Sequence, residues 1–182
     1  GTRLLTKDMF IDTDCISAFL WVGNESLLAQ LYPGRVVMPK PVYDEIDKPN
    51  LSWMKDKIDS MIKAGTLTVV ELTAGTEEFE LYYKMTENPE EGQKIIGEGE
   101  ASSLALAKSK NGIVASNNFK DIMSYINEYS LEYTTTADIL IDAYKRGIID
   151  ENQGNAIWAK MLRKRRKLGA KSFSDYLATT HA

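Results

Sequence analysis

Met9-Phe10-Ile11-Asp12-Thr13-Asp14-Cys15-Ile16-Ser17-Ala18-Phe19-Leu20 is the stretch on which the fold turns. Its first three residues form a short apolar, strand-like run closed by Asp12. The apolar stretch that follows predicts a helix starting near Cys15. Four further runs read as strands: 35–38 (RVVM), 66–72 (TLTVVEL), 112–116 (GIVAS) and 131–134 (LEYT). They are rich in β-branched and aromatic residues, and turn residues bound several of them. Helical patterns lie between them. Residues 51–64 carry apolar side chains at Leu51, Met54, Ile58, Met61 and Ile62, then stop at Gly65. Residues 100–110, 119–129, 137–145 and 151–168 follow, the last two patterns stopping at Gly147 and Gly169. Strands alternating with helices imply βαβ crossovers, and so an α/β fold with a mostly parallel sheet of four to five strands and helices on both faces.

In such sheets ligands bind beyond the carboxyl ends of the strands. Asp12 closes the first strand, and Asn117 and Asn118 follow the fourth. Both positions are expected on one rim.

Composition narrows the chemistry. At 182 residues the chain suits one domain, and 43% hydrophobic with 26% charged residues is ordinary for a globular protein. No apolar run approaches the roughly 20 residues of a membrane helix. The N-terminus shows no secretory pattern, so a cytoplasmic location with no membrane partner is expected. The one cysteine, Cys15, lies in an apolar stretch, and the one histidine, His181, is next to last. These two counts argue against His-based triads and against zinc held by Cys and His. A metal here would be a hard one on oxygen ligands, Mg²⁺ or Mn²⁺.

Charge is unevenly spread. Residues 160–171, KMLRKRRKLGAK, hold seven of the 22 basic residues and none of the 26 acidic ones. The segment suits either a polyanion or the solvated face of a late helix.

Three acids stand out by position. Asp12 fits equally as a cap of the first helix or as a rim ligand. Glu45, in Pro39-Lys40-Pro41-Val42-Tyr43-Asp44-Glu45-Ile46, sits at the edge of a core-facing stripe set by Val42 and Ile46; alone it would read as a surface acid. Glu100 follows Gly97-Glu98-Gly99 at the start of an Ala-rich helix, where the dipole favours an acid. Small residues Ala101, Ala105 and Ala107 allow that helix to pack close to the rim.

The order of these motifs resembles the PIN-domain family, in its nucleic-acid-binding, toxin-like branch. The sequence has a strand ending in Asp-Thr, then Pro-x-x-Val-Tyr-x-Glu-Ile, then Gly-Glu-Ala-x-x-Leu-Ala-Leu-Ala, then an apolar strand ending in Ser-Asn-Asn. Thr134 to Leu140 and Ala143 to Ile149 also resemble that branch, so the likeness spans roughly residues 8–150. It implies a three-layer α/β/α sandwich over 1–150, with 151–182 as a basic helix and a short terminal helix packed on the same domain. It implies Mg²⁺- or Mn²⁺-dependent phosphodiester cleavage of RNA, or of single-stranded DNA. It also implies an antitoxin partner and, as relatives are often dimers, a homodimer.

By motif position the first three family acids fall on Asp12, Glu45 and Glu100, as ligands and catalytic groups. The fourth family acid normally follows the fourth strand, where this chain has Asn117 and Asn118. Three carboxylates cannot balance two divalent ions, but one such ion needs only one or two carboxylates with water and phosphate. Asn117 or Asn118 can ligate through its amide oxygen, and Asp121, Asp14 or Glu98 can supply charge. Thr13 and Ser116 on the rim, and Arg163, Lys164, Arg165, Arg166 and Lys167, are the candidate nucleic-acid contacts. The competing expectation is a catalytically weakened domain that binds RNA or protein.

Overall fold

A computed structural model of the chain describes residues 7–181. The N-terminal residues read above for a targeting signal lie outside that range. Five strands form one sheet: β1 (Met9–Ile11), β2 (Val36–Pro39), β3 (Thr68–Val70), β4 (Ile113–Ala115) and β5 (Glu132–Thr134). Their order is β3-β2-β1-β4-β5, and every pairing is parallel. The short strands suit this sheet because their side chains are wanted on both faces.

Alternation in β1 shows how. Met9 and Ile11 enter one buried cluster with Val36, Met38, Ile113 and Ala115. Phe10 enters the opposite cluster with Val37 and Val114. The first cluster is covered by α1 (Thr13–Trp21), α2 (Ser26–Leu31), α3 (Lys40–Ile46), α4 (Ser52–Lys63), α8 (Thr136–Lys145), α9 (Glu151–Arg163) and α10 (Phe173–His181). The second is covered by α5 (Glu77–Glu87), α6 (Glu98–Lys110) and α7 (Phe119–Glu128). The result is the expected three-layer α/β/α sandwich. No helix among the described residues is long and apolar enough to cross a membrane.

The chain runs from β1 outward to β2 and β3, then returns to β4 on the other side of β1. The strand order therefore reverses between β1 and β4, where a crevice opens at the carboxyl ends. Beyond that crevice the rim residues extend the ladder: the Asp12 N–H donates to Ala115 O at 2.9 Å, and the Ser116 N–H to Thr134 O at 3.1 Å. Asp12 and Ser116 thus stand side by side, each one residue past a strand end.

Two differences from the sequence reading matter. Helices α2 and α5 carried no expectation, although α5 has Thr76 as its cap and three acids in its first turn. The last long helix was expected over 151–168, but α9 ends at Arg163. Arg165 adopts a left-handed conformation with φ 59°. The Arg165 and Arg166 N–H groups then close back on Leu162 O and Met161 O at 2.9 and 3.0 Å. Most of the basic run is therefore a turn and not a helix face. Beyond it, Phe173 is fully buried against Trp158 and presses on Gly154, where any Cβ would fall 2.6 Å from the Phe173 ring. That close approach seats α10 on α9.

Candidate active site

Asp12 is both a cap and a cleft residue, so the two expectations for it are compatible. As the residue before α1, it accepts from the Thr13 N–H at Oδ1, 2.6 Å away. Its Oδ2 accepts from the Ser116 hydroxyl at 2.9 Å. The side chain is buried at 3% exposure. Burial, with Asp14 and Glu100 nearby, pushes its carboxyl well above the ordinary carboxylate range against the pull of those two donors.

Glu45 reaches the same place from α3. Its Oε2 accepts from the Thr13 hydroxyl at 2.5 Å and its Oε1 from the Gly99 N–H at 2.9 Å. Three elements meet on this carboxylate: α3, the start of α1 and the first turn of α6. The meeting requires glycine, since a Cβ at position 99 would lie 2.7 Å from Glu45 Oε1 and 3.1 Å from Asp12 Oδ1.

Glu100 sits one residue further on, in the first turn of α6. Burial, then the charges of Asp121 and Asp14, push its carboxyl up to about 7, although the Gly97 backbone and the Asn118 amide favour the charged form. Its Oε2 is buried with no hydrogen-bond partner. Asp14 is raised too, chiefly by burial, and is held down by the Asn117 and Cys15 backbone and by Arg166 and Lys167. The Asn117 N–H donates to its Oδ1 at 3.2 Å.

These groups line one cleft of about 360 Å³, with Asp12, Thr13, Asp14, Glu45, Glu100 and Asn118 in its wall. Arg166 lines it as well, its Nη1 3.4 Å from the Ser17 hydroxyl. The turn after α9 is what brings Arg166 here. A second depression of about 220 Å³ adjoins it, walled by Asp14, Asn117, Asn118, Arg165, Arg166 and Lys167.

The Asn117 side chain is engaged at both ends by Thr136: Nδ2 donates to its hydroxyl at 2.9 Å and Oδ1 accepts from its N–H at 2.8 Å. Asn118 donates to Asp121 Oδ2 at 2.7 Å, and Asp121 Oδ1 pairs with Lys94 at 3.3 Å. Asp121 is thus one helical turn outside the cleft wall. Lys164 lies over the Trp21 ring, 5.3 Å from its centre, and Arg163 is exposed on α9. Cys15 is fully buried and its thiol pushed up by burial, which leaves it without thiolate character. The sequence marks Asp14 only as a reserve charge; its one signal is the Asp12-x-Asp14 spacing on the first turn of α1.

Among the described residues, no three His, Cys, Asp or Glu side chains already form a ready metal-binding group. Glu45 and Asp12 have both carboxylate oxygens occupied by protein donors. The donor chemistry nonetheless fits a hard divalent cation. Burial raises all three crowded carboxyls, neighbouring acids raise Asp12 and Glu100 further, and one buried carboxylate oxygen has no partner. A cation would relieve both.

The sheet and its topology define an α/β domain with an acid-lined crevice at the switch point. A sequence model of the PIN domain matches residues 8–181, and the chain belongs to the PIN-domain family. No curated protein sequence matches it. Among solved structures it is similar to VapBC2 from Rickettsia felis bound to a promoter DNA fragment, at 18% identity and TM-score 0.49, over 70% of this chain and 97% of that one. It is similar also to FitAB bound to an IR36 DNA fragment, at 14% identity and TM-score 0.48, over 70% and 94% of the two chains. VapBC-1 from nontypeable Haemophilus influenzae gives 18% and 0.48, over 70% and 98%.

Proposed function

We propose that this chain is a divalent-metal-dependent nuclease that hydrolyses phosphodiester bonds of RNA. The observation that carries the reading is Glu100 Oε2, buried and unpartnered beside two other carboxyls whose charged forms are suppressed. A cleft that crowds raised carboxyls around an orphaned oxygen is suited to a cation and, with Arg166 at its lip, to a phosphate.

Asp12, Asp14 and Glu100 would hold Mg²⁺ or Mn²⁺. Bound there, the ion supplies a Lewis acid toward a phosphoryl oxygen and acidifies a water. The protein does the rest. Ser116 and the Thr13 N–H fix both Asp12 oxygens. Glu45 pins Gly99 to Thr13, which sets the distance between α6 and α1. Glu100 would take the proton of the attacking water through the oxygen it does not give to the ion. Arg166, at the lip of the cleft, would grip a non-bridging phosphate oxygen. A role as the toxin of a toxin–antitoxin pair belongs to the same proposal and rests on the sequence resemblance.

The test is cleavage of RNA and single-stranded DNA by metal-free protein, with and without added Mn²⁺. Wild type is expected to cleave only with metal, and Asp12→Asn not at all. Equal cleavage by both would sink the enzyme reading. Asn117 at the fourth acid position favours a second reading, a weakened domain that only binds RNA or protein. In that case Mn²⁺ leaves the melting temperature unchanged, whereas a ligated site raises it.

A further inference from the structure

A third depression, of about 230 Å³, adjoins the basic one. It is walled by Phe119, Thr135, Lys167 and Tyr176, and shares Asn117 and Lys167 with the basic depression. The basic one shares Asp14, Asn118 and Arg166 with the acid cleft. Acidic floor, basic turn and aromatic end thus form one track. Phe119, in the wall of the third depression, meets Tyr133 edge to face, ring centres 5.3 Å apart at 79°. Both remain exposed, at 37% and 40%. Neither belongs to the core clusters. Phe119 opens α7, directly after the cleft residue Asn118.

We propose that the Phe119–Tyr133 pair is the stacking platform for one base of a single-stranded polynucleotide. Its backbone crosses Arg165, Arg166 and Lys167 and enters the acid cleft. Two physical arguments commit the surface to this occupant. The cations between platform and cleft match a phosphate backbone, and an aromatic beside a cationic groove is how proteins hold single strands without pairing. A duplex is excluded as occupant, because its bases are stacked on each other and offer no free face to a ring at the end of the track. The proposal rests on the nuclease reading for the direction of the backbone, but base binding needs no cleavage.

The test is therefore made on binding. Asp12→Asn protein in EDTA is titrated into a fluorescein-labelled oligouridylate octamer, into the same octamer with one abasic position moved along it, and into an oligothymidylate set. Removing the base at one register is expected to weaken binding by roughly tenfold. Phe119→Ala is expected to lose about the same factor on the intact strand and to become indifferent to the abasic position. Loss in both sets assigns the platform to any single strand, and loss in the ribose set alone assigns it to RNA; both support the proposal. Tyr133→Ala with a weaker effect in the same direction supports it too. Because both rings are exposed, unchanged melting temperatures show that the variants fold. If Phe119→Ala binds intact strands as tightly as its parent, or still discriminates the abasic position, the proposal is overturned and the pair belongs to a protein contact. Absence of any strand binding overturns it equally. Failure of the nuclease reading looks different: wild type then cleaves nothing with Mn²⁺ while base-dependent binding persists.

Discussion

The Gly99 N–H donates to Glu45 Oε1 at 2.9 Å, and a Cβ at position 99 would fall 2.7 Å from that oxygen. The atoms in the way are the tips of Glu45, Asp12 and Thr13, not backbone. Gly99→Ala should therefore fold, since side-chain tips can yield and alanine suits a helix. The carboxylates that yield are the proposed site. Melting temperature is expected to stay within a few degrees of wild type, while Mn²⁺ affinity or cleavage falls by roughly 10–100-fold, as for loss of a group that orients a ligand. A Gly99→Ala protein with full metal response would show that Glu45 does not set the cleft.

Ser116 serves two partners at once. Its hydroxyl donates to Asp12 Oδ2 at 2.9 Å and lies 3.3 Å from the Asn118 N–H that donates to it. Ser116→Ala strips both, in a place where the serine is only 1% exposed. Leaving a buried acceptor and donor unmatched costs about 1–3 kcal/mol. Chemical denaturation at pH 7 should show a drop of that order. Mn²⁺ should recover part of it, because the ion replaces the lost partner of Asp12.

Glu100 makes the metal-free fold sensitive to pH. Its carboxyl titrates near 7 in the folded chain against an ordinary value of 4.5. A raised acid contributes fully below its unfolded value, and the contribution is lost as pH rises through the folded one. Metal-free protein should thus lose stability between about pH 4.5 and pH 7 on account of this group. After allowance for solvent screening the effect is roughly 1 kcal/mol, or about 2–4 °C in a chain of this length. Thermal melts in EDTA should show Glu100→Gln with a flatter pH profile and a higher melting temperature at pH 8. With Mn²⁺ the order should reverse, since binding expels the proton and only glutamate then has a charge to offer. A wild-type profile as flat as that of Glu100→Gln would contradict the crowding of these acids.

The frame of this fold was legible because its strands are short, β-branched and bounded, and because a parallel sheet puts strand ends on one rim. That logic alone put Asp12 on one rim with Asn117 and Asn118. Glu45 and Glu100 needed the motif order, since a lone acid on a helix has no sequence mark that separates ligand from surface charge. Arg166 was beyond reach as a cleft residue. Arginine and lysine are good helix formers, and Gly169 is a plausible stop, so periodicity carried the helix to Leu168. The turn that overrides it depends on Arg165 at positive φ, which no residue type announces as glycine would. Phe119 was hidden for a related reason: at the first residue of a helix, periodicity does not say whether a ring faces core or solvent.

The two asparagines at the fourth acid position should answer differently to the same change. Asn117 holds Thr136 through donor and acceptor together, tying the end of β4 to the start of α8. Asn117→Asp keeps the acceptor for the Thr136 N–H, loses the donor, and puts its charge outside the wall of the acid cleft. It should cost stability without improving metal binding. Asn118 lines the cleft and donates to Asp121 Oδ2. Asn118→Asp turns that hydrogen bond into a clash of carboxylates beside Glu100, so the metal-free protein should melt lower at pH 8. A fifth acid in the wall should then tighten Mn²⁺ binding by roughly tenfold, the scale of one added favourable charge contact of about 1.4 kcal/mol. Calorimetric titration of the two variants separates these outcomes. Tighter binding by Asn117→Asp and none by Asn118→Asp would move the metal toward α8 and away from Glu100.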